Sequence, residues 1–243
     1  LDFWRVAASA MKKRSAMKTL PDMPESGFTG LMKPALALLA AYFIGAIPFG
    51  YLIVKWKTGA DVRAAGSGNI GATNVLRTTG RGAGFVTLLL DIAKGAVAVW
   101  LMDAASRGNI HWMSAAALAV MAGHAFPIFL NFKGGKAVAS FVGAYAYLAA
   151  IPLLAVAIVF IAALAYSRQV SLASILGVAM FPLALWLFMQ PPLSLLCAAI
   201  ASCAFIIYRH RANIARIRAG TEHVLSFGRR KPNAGPRWRA RRP

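Results

Sequence analysis

The sequence predicts an all-α, polytopic membrane bundle of seven transmembrane helices, two of them short, with the N-terminus outside and the C-terminus cytoplasmic. Three observations predict it. Apolar residues make up 59% of the chain and mean hydropathy is +0.61, a composition foreign to soluble enzymes. Several apolar runs approach the roughly 20 residues that cross a bilayer. The basic residues behind the net charge of +20 gather in loops and tails, as expected for cytoplasmic orientation and anionic headgroups rather than nucleic acid.

Residues 1–30 carry Arg5, Lys12, Lys13, Arg14 and Lys18 around short apolar patches. With no signal-peptide core, they read as a non-native or disordered extension. The membrane domain is expected over 31–227, followed by a basic, disordered tail at 228–243. Apolar runs occupy 34–54, 83–102, 112–130, 172–189 and 192–208, and a longer run, 138–166, is interrupted by Pro152. Read as one span, that run would put loop 55–82, with Lys55, Lys57, Arg63, Arg77 and Arg81, opposite the basic C-terminus. Read as two short spans hinged at Ala150-Ile151-Pro152, it puts loops 55–82, 131–137 and 167–171 beside the tail. Seven spans follow. Segments of about 15 residues are short for a hydrocarbon core of about 30 Å, so these two are expected inside the bundle, around a cavity near the inner leaflet.

Four polar clusters fall on the same predicted face. The first, Gly66-Ser67-Gly68-Asn69-Ile70-Gly71-Ala72-Thr73-Asn74 closed by Arg77, has small residues that let amides converge on an anion, hydroxyl donors and a bidentate cation. A turn between spans would use many of the same residues. The second runs from His124 and Phe126-Pro127 into Lys133-Gly134-Gly135-Lys136, paired glycines flanked by lysines at a helix start, suited to phosphate or carboxylate. Lysines that merely snorkel at the interface are the alternative. The third is a polar elbow, Ser167 to Ser174, where Ser171 could simply cap a helix. The fourth follows the last span: His210 and Asn213 share a helix face at i, i+3, accompanied by Arg216, Arg218 and Glu222. A basic amphipathic helix on anionic lipid would also carry those arginines.

Asp91 and Lys94, three residues apart inside an apolar run, are either a structural ion pair or catalytic groups. Cys197 and Cys203 read as inert packing residues, and no His, Cys and carboxylate set has metal-ligand spacing, so neither metal nor cofactor is expected.

GSGNIGATNVLR, LLLDIAKG, GHAFPIFLNFKGGKAVA and HRANIARIRAGTEH occur in the order and spacing of the bacterial acyl-phosphate:glycerol-3-phosphate acyltransferases. The chain resembles that family over roughly residues 34–225. The resemblance implies a seven-helix membrane enzyme that moves a fatty acyl group from acyl phosphate to the 1-hydroxyl of glycerol 3-phosphate; it is expected in the bacterial inner membrane and to work as a monomer. It further implies that Ser67, Gly68, Thr73 and Ser174 hold the acyl donor's phosphate, and that Arg77, Lys136, His210 and Asn213 hold glycerol 3-phosphate. Asn69, Asn74, Gly134 and Gly135 complete the expected substrate-binding set. One departure stands out: the family usually reads GGKG where this chain has Ala137. A left-handed backbone there would be strained, and a helical one harmless.

Acyl phosphate is already activated, so positioning and charge stabilisation suffice without a covalent intermediate. The hydroxyl proton goes to His210 or, preferentially, to a substrate phosphate, since a histidine gripping phosphate is a poor base. The rival class is a transporter of an organic phosphate, which would need a polar route to both membrane faces.

Overall fold

A computed structural model describes residues 27–225; of the extension expected over 1–30, residues 27–30 are helical and the rest lies outside the described residues, as does the tail from 228. The described residues form ten α-helices: α1 (Gly27–Ala46), α2 (Phe49–Thr58), α3 (Ala72–Thr79), α4 (Arg81–Ser106), α5 (Ile110–Ala125), α6 (Val138–Leu148), α7 (Ala150–Ser167), α8 (Val170–Met189), α9 (Leu193–Arg209) and α10 (Arg211–Arg218). Five helical segments are long and apolar enough to cross a bilayer, or six when the α9–α10 pair, bent by 57°, counts as one.

Small residues let the helices approach backbone to backbone. A Cβ on Gly45 would meet the Val120 carbonyl and one on Gly123 the Tyr42 carbonyl, joining α1 to α5; Gly95 and Gly143 join α4 to α6 in the same way. Close approach through small residues replaces the hydrophobic drive that lipid cannot supply. At the centre, Phe141, Tyr145 and Phe181 pack with ring centroids 4.7–5.0 Å apart, and the Tyr145 hydroxyl pairs with Ser202 Oγ at 3.1 Å.

The run 138–166 is broken, as expected, but at Ala149 (φ −154°, ψ 59°) rather than at Ala150-Ile151-Pro152. Pro152 lies in the first turn of α7, where its missing N–H costs nothing. The two halves are also unequal. The 11 residues of α6 extend only about 16 Å and are seated in the core through Phe141, Ala144 and Tyr145. The 18 residues of α7 can cross, and they are not tucked into the bundle: Leu154, Ile158 and Ile161 are 63–70% exposed. That face turns to lipid.

The α1–α2 break at Ile47-Pro48 exposes a carbonyl that the helix cannot use. Lys94 Nζ donates to the Ile47 carbonyl at 2.9 Å and pairs with Asp91 at 2.8 Å, with His124 Nδ1 3.6 Å from the same carboxylate. Of the two readings of Asp91 and Lys94, the structure shows the ion pair, pinning α4 to the break and to α5. Lys94→Met should destabilise the protein by about 3 kcal/mol or more, because a buried carboxylate loses its partner. Asp91→Asn/Lys94→Met should recover most of that loss, as read by thermal unfolding in detergent.

Candidate active site

Four polar segments meet at one end of the bundle. Between α2 and α3 the chain is organised by one buried amide. Asn74 Oδ1 accepts the Ser67 N–H at 2.9 Å, while Nδ2 donates to the carbonyls of Val62, Ala65 and Asn69 at 3.2, 3.1 and 2.8 Å. Asn69 Oδ1 accepts the Gly71 N–H at 2.8 Å. Gly66 and Gly68 adopt left-handed φ of +61° and +71°, and a Cβ on Gly66 would meet Asn74 Oδ1. The Gly68 N–H donates to the Ala65 carbonyl at 3.1 Å. Ser67 and Gly68 are exposed, and Thr73 and Arg77 share a face of α3 at i, i+4.

After α5 the chain folds back on the helix end: Gly134 N–H donates to the Ala125 carbonyl at 3.1 Å and Gly135 N–H to that of His124 at 3.0 Å. These amides, expected to grip substrate, are spent within the protein. So is the side chain of Asn74, and these three residues form the frame that carries the site. Lys136 follows, half-buried. Ala137 is fully buried and left-handed (φ 63°, ψ 8°), the strained outcome, worth about 1 kcal/mol.

The third and fourth segments are joined by Glu222. Its Oε1 accepts from Ser171 Oγ and Asn213 Nδ2, each at 2.8 Å, and its Oε2 from Arg216 Nε at 2.8 Å. The Leu225 N–H donates to the Arg168 carbonyl at 2.7 Å, closing the chain over the α7–α8 elbow. The Ser174 hydroxyl turns back to the Val170 carbonyl at 2.8 Å, so Ser171 is the elbow serine engaged with Asn213's partner. His210 is buried between α9 and α10 with Nδ1 2.8 Å from the Ile206 carbonyl. That bond places the hydrogen of the neutral ring on Nδ1 and leaves Nε2 an acceptor.

Lys136 makes no hydrogen bond within the described residues. Burial, and then the charges of Arg216, Arg77 and Arg209, push its ammonium down to about 8, against the opposing pull of Glu222. Burial would raise the Glu222 carboxyl, yet the donors Asn213, Ser171 and Arg216 hold it below the usual value. Arg77 feels both Glu222 and Arg216. Arg77, Lys136 and His210 each feel the charge of Glu222, and Asn213 donates to it, so the four lie around one carboxylate at this end of the bundle. Among the described residues no group of His, Cys, Asp and Glu could hold a metal ion.

In the sequence Glu222 is one member of the fourth cluster with no assigned role, and nothing there singles out Arg209. The available signal was charge contrast: Glu222 is the only acidic residue after Asp103.

A cluster of cations around one carboxylate at the end of an apolar helical bundle marks this as an integral membrane protein with a charged site at one end. The sequence profile of the Glycerol-3-phosphate acyltransferase family matches residues 35–220. Curated relatives include glycerol-3-phosphate acyltransferases of Jannaschia sp., 44% identical over 80% of this chain and 94% of that protein, and of Desulforamulus reducens, 42% identical over 78% and 94%. The crystal structure of PlsY, an integral membrane glycerol 3-phosphate acyltransferase in its glycerol 3-phosphate form, superposes with TM-score 0.76 at 37% identity, covering 79% of this chain and 96% of that one. Its lysophosphatidic acid form gives 0.72 at 35% identity. The chain belongs to the glycerol-3-phosphate acyltransferase family.

Asn74→Asp should unfasten the first segment, because a carboxylate would face three carbonyls with neither N–H donor left to satisfy them, a cost of about 2 kcal/mol or more. Trypsin should then cut within residues 59–80 at least tenfold faster than in the wild type.

Proposed function

We propose that this chain transfers a fatty acyl group from acyl phosphate to the 1-hydroxyl of glycerol 3-phosphate, releasing lysophosphatidic acid and inorganic phosphate, as a monomer without metal or cofactor. The observation that carries the reading is the convergence of Arg77, Lys136 and Arg216 with buried polar groups on α8 and α10. Family membership supplies the acyl acceptor. The site faces the cytoplasm of the bacterial inner membrane, because Lys55, Lys57, Arg63, Lys133, Arg168 and Arg211 lie in the segments at its end of the bundle. The membrane domain is 31–227 together with the start of α1, which begins at Gly27, and α6 completes a count of seven helices.

Arg77 and Lys136 hold the phosphate of glycerol 3-phosphate, His210 and Asn213 its glycerol part. The hydroxyls of Ser67 and Thr73 hold the donor phosphate, while Gly68 and Ser174, whose N–H and hydroxyl donate to the Ala65 and Val170 carbonyls, join Asn69, Asn74, Gly134 and Gly135 in holding those contacts in place. The cations offset the repulsion between two phosphorylated reactants and hold the hydroxyl against the acyl carbonyl. Attack forms the new ester C–O bond, the tetrahedral centre collapses by breaking the C–O bond to phosphate, and the hydroxyl proton leaves on a phosphate oxygen. His210 Nε2, as an acceptor, orients that hydroxyl. An open apolar pocket of about 280 Å³ lined by Ile47, Pro48, Tyr51, Leu52, Phe129 and Leu130 is space an acyl chain could occupy.

Purified protein given acyl phosphate and glycerol 3-phosphate should release inorganic phosphate and lysophosphatidic acid in equal amounts, and Lys136→Ala should abolish both. Acyl phosphate left intact while glycerol 3-phosphate crosses vesicle membranes would overturn the reading. His210→Gln should keep measurable kcat with a raised KM for glycerol 3-phosphate.

Because the Lys136 ammonium titrates near 8 in the free protein, its charge is present below that pH and lost above it. The kcat/KM for glycerol 3-phosphate should therefore fall about tenfold per pH unit above 8. Lys136→Arg should lack this alkaline limb over the same range.

A further inference from the structure

Arg209 lies outside the set of substrate contacts, yet its guanidinium is committed. Nε donates to the Gly135 carbonyl at 3.1 Å, and Nη2 donates to the carbonyls of Gly134 and Gly135 at 3.1 and 2.9 Å. Its flat face lies over the Phe126 ring, 4.9 Å from the centroid. The same two glycines give their N–H groups to the end of α5. The glycine pair is thus a two-residue bridge, bonded to α5 on one edge and to α9 on the other. Neither glycine admits a side chain: a Cβ on Gly134 would meet Pro127 and the His124 carbonyl, and one on Gly135 the His124 ring.

Lys136 follows the bridge directly, and His210 follows Arg209 directly. The Arg209–Gly135 bond therefore joins the residues next to two members of the pocket that arrive from different spans. We infer that Arg209 is a positioning residue, a fork that sets the separation of Lys136 from His210 and so shapes the glycerol 3-phosphate subsite. The geometry of the fork carries this role. A lysine would keep the charge but could not bond two carbonyls from one rigid plane.

The inference rests on the proposed reaction, and the test separates the two. Wild type, Arg209→Lys and Arg209→Gln are compared in one bilayer preparation for kcat, for KM toward each substrate and for unfolding temperature. Both variants should raise the KM for glycerol 3-phosphate at least tenfold, move that for acyl phosphate less than twofold, and unfold within a few degrees of wild type. Arg209→Lys indistinguishable from wild type would show that charge alone matters and would overturn the inference while leaving the reaction standing. Equal rises in both KM values would overturn it too, as a general loosening of the site. Should both variants fail to fold, Phe126→Leu, which removes the ring beneath the guanidinium but keeps its bonds, gives the second reading. A selective rise in the glycerol 3-phosphate KM supports the fork, and an unchanged KM counts against it. An inactive wild type refutes the reaction itself.

Discussion

Glu222 is the charge on which the site's assembly depends. Arg77, Lys136, Arg209 and Arg216 are drawn into one half-buried region, and unit charges about 4 Å apart repel by roughly 4 kcal/mol where the effective dielectric is about 20. A single buried carboxylate, bonded through both oxygens to Ser171, Asn213 and Arg216, offsets part of that repulsion before any substrate arrives. It does so from a segment beyond the last helix, strapped down again by Leu225 on Arg168. Residues 219–225 are therefore the closing piece of the site.

The polar residues divide by what their hydrogen bonds already do. Asn74 spends its side chain on bonds to four backbone groups, and Gly134 and Gly135 spend their backbone N–H groups on α5 and their carbonyls on Arg209 of α9. Ser67, Thr73 and Lys136 show no such internal side-chain commitment among the described residues. An anion drawn to the pocket therefore meets donors whose desolvation is not already offset, on a frame whose own donors are satisfied.

Much of this architecture is legible in sequence because hydropathy sets helix length: the spans around 83–102, 112–130 and 172–189 appear close to where the runs place them. Hydropathy cannot tell a protein neighbour from a lipid one, so α7, among the most apolar helices, was expected in the interior and faces outward. A proline is ambiguous in the same way, marking a helix start as readily as a hinge, which is why the break at Ala149 was misplaced by a residue or two. In the site, the cationic members announce themselves in an apolar chain. Glu222 and Arg209 do not, because their importance lies in partners 51 and 74 residues away in sequence, Ser171 and Gly135.

Ala137 joins these strands of the argument. Its left-handed backbone is a conformation glycine adopts freely, and an alanine there is held by complete burial against the core and by the bond from Phe141 N–H to its carbonyl at 2.8 Å. Strain persists only where the surroundings over-determine the backbone. Here they do so one residue after Lys136, the lysine proposed to meet phosphate, with the glycine bridge fixing the other side. Lys136 is therefore anchored at both neighbours while its side chain stays uncommitted, the combination a pocket needs when charge must be placed in advance.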